Sequence, residues 1–276
     1  MTVQWFPGHM AKAKRELIAR LPQVDMVVEI ADARVAAASR NPDLVQLISG
    51  KLHLLVLNKA DLASPPVTDK WLQVIRKKGM EAVAFSALFD RRQKLLRPIQ
   101  RLAAKNKAGI KGDLKILVVG VPNVGKSAVI NKLARRRSAA VGARPGVTRA
   151  QQWIRVEKKI MIMDTPGILW PKFEQQQTGY KLAAVGAIRE EILPLEEVAL
   201  WLGQELIRRL PFTLETTFDL EDTAADAILS GIARRRGLYI SKGQLDLERA
   251  AGLLLREFQQ GKLGRVSLDD PGEEII

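Results

Sequence analysis

Short apolar runs alternate with longer segments of helical periodicity over roughly the first 165 residues of the chain. The runs that predict strands are 24–30, 52–57, 82–85, 114–119, 152–157 and 160–163. The segments that predict helices are 10–21, 67–78, 90–105 and 126–135. Strands that are apolar throughout are typical of a parallel sheet covered on both faces. We therefore predict a doubly wound, mostly parallel α/β sheet.

The pattern changes near residue 178, after which helical periodicity dominates and no clear strand is visible. The later predicted helices are 178–190, 195–209, 221–236 and 246–260, and Asp222 or Thr223 would begin the third. We predict two domains, the sheet domain at 1–178 and a smaller all-helical C-terminal domain at 179–276. The acidic tail from Asp269 to Glu274 is expected to fray.

Positive charge is the main feature of the composition. The 276 residues carry a formal charge of +14 and a pI of about 10.1. This excess favours a polyanionic partner such as nucleic acid, although a basic surface without such a partner is the alternative. Aromatic residues make up only 5%, which favours backbone and shape contacts with folded RNA over base stacking. Basic runs that fit a phosphate-rich surface are 91–111, 135–137, 208–209 and 234–236.

The chain has no cysteine, which excludes disulfides, zinc–cysteine sites and thiol nucleophiles. No apolar run approaches the roughly 20 residues that cross a bilayer, and the N-terminus lacks the layout of a secretion signal. We expect a cytoplasmic protein without a membrane partner. No heptad run predicts a dimer, so a monomer is expected.

Residues 120–127 have the spacing Gly-x-x-x-x-Gly-Lys-Ser between a predicted strand and a predicted helix. This context is typical of a phosphate-binding loop, whose backbone N–H groups point at phosphate oxygens. Lys126 would contact the β- and γ-phosphates, and the Ser127 hydroxyl would ligate Mg²⁺. A chance match in a strand–turn–helix is the alternative. The predicted nucleotide contacts of this loop are Asn123, Val124, Gly125, Lys126, Ser127 and Ala128.

Asp164-Thr165-Pro166-Gly167 ends a predicted strand about forty residues after this loop. Asp164 would hold Mg²⁺ through a water, and the Gly167 N–H would contact the γ-phosphate. Thr148, in the Gly- and Pro-containing segment between them, is the predicted second hydroxyl ligand of Mg²⁺. For Asp164-Thr165-Pro166-Gly167 the alternative is an ordinary strand-end turn. For Thr148 the alternative is a threonine that only forms part of a turn.

Asn58-Lys59-Ala60-Asp61 predicts the base. The Asp61 carboxylate can accept hydrogen bonds from N1–H and N2–H₂ of guanine, whereas adenine lacks these donors in that arrangement. Asn58 would brace the loop, and the Lys59 stem would cover one ring face. Ser86-Ala87 would complete the pocket through a backbone N–H to guanine O6, although Leu88 stands where lysine is commonest. The predicted ligands are therefore GTP and GDP with Mg²⁺.

The guanine motif precedes the phosphate loop by about sixty residues, the reverse of the order in an ordinary small GTPase. In this order of motifs the chain resembles the circularly permuted GTPases, specifically the ribosome biogenesis GTPase A family. The segment Trp5 to Ala13 and the tripeptide Asp32-Ala33-Arg34 also resemble that family. The resemblance covers nearly the whole chain. It implies a GTPase that binds the large (50S) ribosomal subunit late in assembly and contacts ribosomal RNA.

Ile168 stands where Ras-like enzymes have a water-orienting glutamine, so slow intrinsic hydrolysis is expected. His9 is the internal candidate for the missing role, to which the resemblance also points; a surface residue in an N-terminal arm is the alternative. Arg34, Arg144 and Arg149 are fallback charge stabilisers, whereas His53, within a predicted strand, is expected to be structural.

The resemblance makes K⁺ activation through Asn123 plausible, and a purely loop-shaping Asn123 is the alternative. Residues 166–178 run from the predicted γ-phosphate sensor towards the helical domain and are predicted to couple the two. Two other functions stay open: an RNA-binding assembly factor in which hydrolysis is incidental, and a GTPase that acts on transfer RNA or small-subunit RNA.

Overall fold

The computed structural model describes residues 15–48, 50–106, 112–135, 153–165, 175–188, 194–222, 224–225 and 227–272. Its strands are β1 (Met26–Asp32), β2 (Leu52–Asn58), β3 (Glu81–Ala84), β4 (Leu114–Val119), β5 (Trp153–Glu157) and β6 (Ile160–Asp164). They form one sheet in the order β3-β2-β1-β4-β6-β5. Neighbouring strands are parallel except β5 and β6. The predicted mostly parallel sheet is confirmed.

The strand order reverses next to β1, because β2 and β3 extend to one side of it and β4 lies on the other. In open α/β sheets, ligands bind at such a reversal, outside the carboxyl ends of the strands. Four parallel strands bring their ends to this edge at Asp32, Asn58, Val119 and Asp164. The fold therefore gathers the sequence-predicted motifs at one edge.

Helices cover both faces of the sheet, as continuously apolar strands require. Alternate residues of β1 point to opposite faces: Val28 and Ile30 belong to one core cluster, and Ala31 to another. The first helices are α1 (Pro42–Leu47), α2 (Pro65–Lys77), α3 (Gln93–Lys105) and α4 (Lys126–Ala134), and residues 15–20 are also helical. The apolar residues of α2 pack in the cluster of Ala31, whereas those of α3 and α4 pack in the cluster of Ile30.

The C-terminal part is helical, as the periodicity predicts. Its helices are α5 (Gln176–Ala184), α6 (Leu195–Arg209), α7 (Thr213–Phe218), α8 (Ile228–Arg235) and α9 (Leu247–Gln259). Leu202 of α6 and Leu254 of α9 belong to the same buried cluster as Val118 of the sheet. The boundary at 178/179 stays a prediction, and the core is continuous across it. In the part of the chain that the structure describes, no helix has the length and apolar character to span a membrane.

The predicted helix 221–236 is wrong in its first half, and α7 was not predicted. Asp219, with a φ of 58°, is left-handed and ends α7. The carboxylate of Asp222 accepts a hydrogen bond from the Ala224 N–H at 2.8 Å, and α8 begins only at Ile228. A side chain that bonds its own nearby backbone competes with helix formation. Sequence periodicity alone did not reveal this turn.

The expectation that the tail frays from Asp269 is wrong. The Asp269 side chain is fully buried and accepts hydrogen bonds from the Ala37 and Ala38 N–H groups at 2.7 and 2.8 Å. Lys181 of α5 forms an ion pair with the same carboxylate at 2.8 Å. A buried carboxylate needs such partners. Asp269 thereby ties the segment after α9 to the turn that follows β1 and to α5.

Candidate nucleotide-binding site

The phosphate-loop segment leaves β4 at Val119 and enters α4 at Lys126. Two of its positions require glycine. A Cβ on Gly120 would lie 2.3 Å from the Ile30 carbonyl oxygen of β1. A Cβ on Gly125, where φ is +93°, would lie 2.3 Å from the Asn58 amide nitrogen. The loop backbone is therefore pressed against β1 on one side and the predicted guanine motif on the other.

Asn58 joins three of the predicted segments. It is 2% exposed at the end of β2, and its Nδ2 donates a hydrogen bond to the Val124 carbonyl oxygen at 2.8 Å. Its Oδ1 accepts a hydrogen bond from the Ala87 N–H at 3.2 Å. One buried amide thus holds the guanine motif, the Ser-Ala motif and the phosphate loop together. A backbone N–H of Ser86-Ala87 is predicted to contact guanine O6; in this structure the Ala87 N–H donates to Asn58, and the Ser86 N–H donates to Asp90 Oδ2 at 2.8 Å.

The loop that carries Asp61 is fixed from several sides. The Ala60 N–H donates to the Phe85 carbonyl oxygen at 3.1 Å, and the Leu62 N–H donates to the Lys59 carbonyl oxygen at 2.9 Å. Lys59 has a φ of 57°, a conformation that few residues other than glycine adopt. Such a constrained loop presents the Asp61 carboxylate in a defined position.

Asp32 anchors Lys59 from the end of β1. The Lys59 Nζ lies 2.9 Å from one carboxylate oxygen of Asp32, and the Arg34 guanidinium donates to both oxygens at 3.0 and 2.8 Å. Burial alone would raise the pKa of Asp32, but Arg34 and Lys59 outweigh it and hold the pKa well below its usual value. Asp32 is therefore a fixed anion beneath the predicted base-binding loop.

Arg34 does not occupy the position expected of a charge stabiliser at the phosphates. Its side chain is 1% exposed, and its guanidinium also donates to the Phe258 carbonyl oxygen at 3.1 Å and lies over the Phe258 ring. It joins Asp32 to the end of α9. Its alternative role as a charge stabiliser therefore has no support in this structure.

Lys126 is buried within the loop that it would serve. Its side chain is 7% exposed, and its Nζ donates to the Val121 carbonyl oxygen at 2.8 Å. Burial lowers the pKa of Lys126 to about 8, against the attraction of Asp164, and the charge of Lys59 lowers it further. A lysine side chain with this pKa is partly a neutral amine near pH 8, and the amine can gain a proton when a polyanion binds.

We expect GTP binding to take up a proton at pH 8.5, because Lys126 is then partly neutral and phosphate contact raises its pKa. The dissociation constant should rise towards a limit of about tenfold per pH unit above pH 8, and stay level below it. Calorimetry in two buffers of different ionisation enthalpy measures the uptake. The same titration at pH 6.5 is the internal control, because Lys126 is then already protonated and only proton release from the terminal phosphate of the nucleotide is expected; equal uptake at both values would contradict the prediction.

Ser127 and Asp164 supply two hard oxygen donors side by side. The Ser127 hydroxyl donates to Asp164 Oδ2 at 2.9 Å, and Asp164 is 3% exposed at the end of β6. The next residue, Thr165, donates through its hydroxyl to the Val118 carbonyl oxygen at 2.7 Å and fixes the strand end. A hydroxyl and a carboxylate on neighbouring elements fit Mg²⁺, which takes oxygen ligands and retains waters.

Asn123 contacts the helical part of the chain. Its Nδ2 donates to the Gly186 carbonyl oxygen, just after α5, at 2.6 Å, and its backbone is left-handed with a φ of 59°. This contact supports a loop-shaping role. It does not test the K⁺ role that the resemblance implies.

Sequence reasoning missed the segment 261–267, which packs against the guanine motif. The Arg265 guanidinium donates to the Ala63 and Ala60 carbonyl oxygens at 3.1 and 3.0 Å. The Val266 N–H donates to the Leu62 carbonyl oxygen at 3.1 Å, and a Cβ on Gly261 would lie 2.5 Å from the Leu62 side chain. No motif or periodicity singled out Arg265, because its partners are backbone carbonyls about 200 positions away.

Several predicted residues lie outside the described part of the chain. They are His9, Arg144, Thr148, Arg149, Gly167 and Ile168. The other histidine, His53, lies within 3.0 Å of the buried Glu29 carboxylate. It stands five positions before Asn58 on β2, about 16 Å from the strand end. This distance agrees with a structural role.

Comparison with known proteins gives consistent matches. A family model described as "50S ribosome-binding GTPase" matches residues 115–202. Ribosome biogenesis GTPase A of Priestia megaterium is 41% identical over 286 residues, which cover 99% of this chain and 98% of that protein. GNP-bound YlqF from T. maritima has a similar crystal structure, with a TM-score of 0.76 and 30% identity over 95% of this chain and 100% of that one. The GDP-bound YlqF structure gives a TM-score of 0.73 and 30% identity over 94% and 100%.

Proposed function

Because the chain belongs to the ribosome biogenesis GTPase A family, we propose that it binds GTP and hydrolyses it to GDP and phosphate as a switch in assembly of the large (50S) ribosomal subunit. The observation that carries this proposal is the position of Asn58 between the guanine motif and the phosphate loop. The proposed partners are the large subunit and its rRNA. The protein would act as a monomer in the cytoplasm.

The proposed binding roles follow the geometry of the pocket. The carboxylate of Asp61 accepts from guanine N1–H and N2–H₂, while the backbone N–H groups from Asn123 to Ala128 surround the phosphates at the start of α4. Lys126 leaves the Val121 carbonyl to contact the β- and γ-phosphates. Ser127 and Asp164 would hold Mg²⁺, which offsets phosphate charge when bound.

Most of the proposed hydrolytic roles belong to residues outside the described ranges. Thr148 and Gly167 would contact the metal and the γ-phosphate, and His9 would orient the attacking water that Ile168 cannot orient. Asn123 would hold K⁺ beside the phosphates. A low intrinsic rate, raised by the ribosomal particle, is part of the proposal.

Two contacts, besides the predicted segment 166–178, support coupling between the bound nucleotide and the C-terminal helical region. One is the hydrogen bond from Asn123 to Gly186, and the other is the Arg265 guanidinium on the guanine loop. Each joins a nucleotide-contacting loop directly to the helical region. A nucleotide that fixes these loops can therefore bias the pose of that region, provided it binds the two poses with different affinity.

We expect large subunits to raise GTP turnover at least about tenfold, which corresponds to about 1.4 kcal/mol of barrier. Subunit binding should be tighter with a non-hydrolysable GTP analogue than with GDP. Phosphate release with and without subunits, in K⁺ and then in Na⁺, measures the first effect; co-sedimentation measures the second. Lys126→Ala is the inactive control. Equal subunit affinity in both nucleotide states would reject the switch, and a rate that is equal in K⁺ and Na⁺ would reject the K⁺ role.

The alternatives predict different results. If hydrolysis is incidental, an Asp164→Ala variant that retains GTP would still support assembly. If the protein acts on small-subunit RNA, it would co-sediment with small subunits and not with large ones. If it acts on transfer RNA, it would bind transfer RNA and co-sediment with neither subunit.

A further inference from the structure

A basic cleft with an exposed aromatic residue lies next to the Ser-Ala motif. Its volume is about 520 Å³, and it is lined by the 89–93 turn and by the end of α4. Phe89 and the preceding Leu88 are 77% and 75% exposed, the largest exposures among the large apolar residues in the described part of the chain. Two adjacent, exposed apolar side chains of this size indicate a contact surface.

The turn that carries Phe89 is held in place. The Phe89 N–H donates to the Ser86 hydroxyl at 3.2 Å, and the Ser86 N–H donates to Asp90 Oδ2 at 2.8 Å. The Lys132 Nζ of α4 donates to the Leu88 carbonyl oxygen at 3.1 Å. An ordered turn therefore keeps the ring exposed. A partner that stacks on the ring would cost the protein little conformational entropy.

The lining of the cleft is cationic. Arg91 and Arg135 are exposed, and neither guanidinium group makes a hydrogen bond or ion pair within the described residues. Arg92 is different, because its guanidinium holds the Leu133 and Val156 carbonyl oxygens, both at 2.5 Å, and pairs with Glu157.

Asp90 is the single acid among the described lining residues, and Lys94 pairs with it at 2.9 Å. Two cations thus remain available beside an aromatic face.

From this arrangement we propose that the cleft binds an unpaired nucleotide of folded RNA, with the base on the Phe89 ring and the flanking phosphates on Arg91 and Arg135. Stacking on an aromatic ring and contact with phosphate cations are how proteins hold unstacked bases in RNA loops. A protein partner would leave the two cations without acceptors unless it were acidic. The inference rests on the proposed function, and names a stacking contact that the low aromatic content did not predict.

The turn also links RNA to the nucleotide site. It begins at Ser86 and Ala87, and the Ala87 N–H is bonded to Asn58. An RNA that docks on Phe89 therefore contacts the segment that braces the guanine motif.

The test measures binding of protein-free large-subunit rRNA to the full-length protein across a salt series. We expect Phe89→Ala to weaken binding about 5- to 100-fold, and Phe89→Trp to retain it, because only the former removes a stacking face. Arg91→Ala should weaken binding and lower the slope of log K against log salt by about 1. Lys77→Ala, which removes an exposed cation on α2 across the sheet, is the matched control and should change neither the rRNA affinity nor the salt slope.

The inference would be overturned by unchanged rRNA affinity in Phe89→Ala or by an equal loss in Phe89→Trp. It would also be overturned if Phe89→Ala weakened binding only to intact subunits, or only to vesicles of anionic phospholipid, and left binding to protein-free rRNA unchanged. A loss of rRNA binding in Phe89→Ala that is matched by an equal loss of GDP binding would also overturn it, because the ring would then act through the nucleotide site. If the wild-type protein binds neither large subunits nor their rRNA, the proposed function itself fails.

Discussion

Asp61→Asn is expected to change the preferred nucleotide from GTP to xanthosine triphosphate. The new amide oxygen still accepts from N1–H, but its NH₂ group faces the N2–H₂ of guanine, so two donors oppose each other. Xanthine carries an oxygen at that position and restores the pair. A site built around specific hydrogen bonds rejects the mismatched ligand strongly, and we expect the GTP-to-XTP preference to change by about 10⁴-fold or more.

The constrained loop is the structural reason for so large an effect. Lys59 is anchored on Asp32, and the Ala60 carbonyl is held by Arg265, so the loop cannot easily re-form around the wrong base. Competition binding with a fluorescent guanine nucleotide measures the preference. Asp69→Asn, the same exchange at an exposed site on α2, is the matched control and should leave it unchanged. If the Asp61→Asn protein still prefers GTP, Asp61 does not recognise the base.

Asn58→Ala is expected to weaken GDP and GTP binding about 30- to 1,000-fold. The change leaves the Val124 carbonyl and the Ala87 N–H without their buried partner. Each loss costs about 1–2 kcal/mol, and each 1.4 kcal/mol corresponds to tenfold in affinity. The loss should be larger for nucleotides than for inorganic pyrophosphate, because Asn58 joins the base loop to the phosphate loop.

Calorimetry with GDP and with pyrophosphate measures both effects in one protein. Asn106→Ala, at the exposed end of α3, is the control for an asparagine outside the site. If Asn58→Ala melts at a lower temperature yet binds GDP with unchanged affinity, Asn58 supports the fold alone and the convergence of the loops is not functional.

The segments predicted as strands show why most of the sheet could be predicted from the sequence. Apolar runs such as 52–57 and 114–119 have few other ways to bury their side chains, so type and approximate position follow from local pattern. The later helices were harder. The turn at Asp219 and Asp222 depends on a left-handed residue and on a side-chain contact with nearby backbone, which helical periodicity does not encode.

The prediction for Asp269 was wrong for a different reason. An acidic residue near the end of a chain is usually solvated, yet this one is buried by backbone donors of the turn after β1 and by Lys181. Its burial is a property of where α5 and that turn lie relative to each other. Arg34 is similar, since its partners are Asp32 beside it and Phe258 at the end of α9.

The sequence by itself determined which residue types stand in the pocket and predicts their chemistry: a carboxylate at Asp61 for guanine, and a glycine-spaced loop with Lys126 and Ser127 for phosphates. These are local properties, because they depend on residue type and spacing over a few positions. Only the tertiary structure decided that one amide, Asn58, joins the two loops, and that Arg265 supports the guanine motif from the C-terminal segment. Such contacts join residues about 60 to 200 positions apart, and the strand order that brings them together is a property of the assembled sheet.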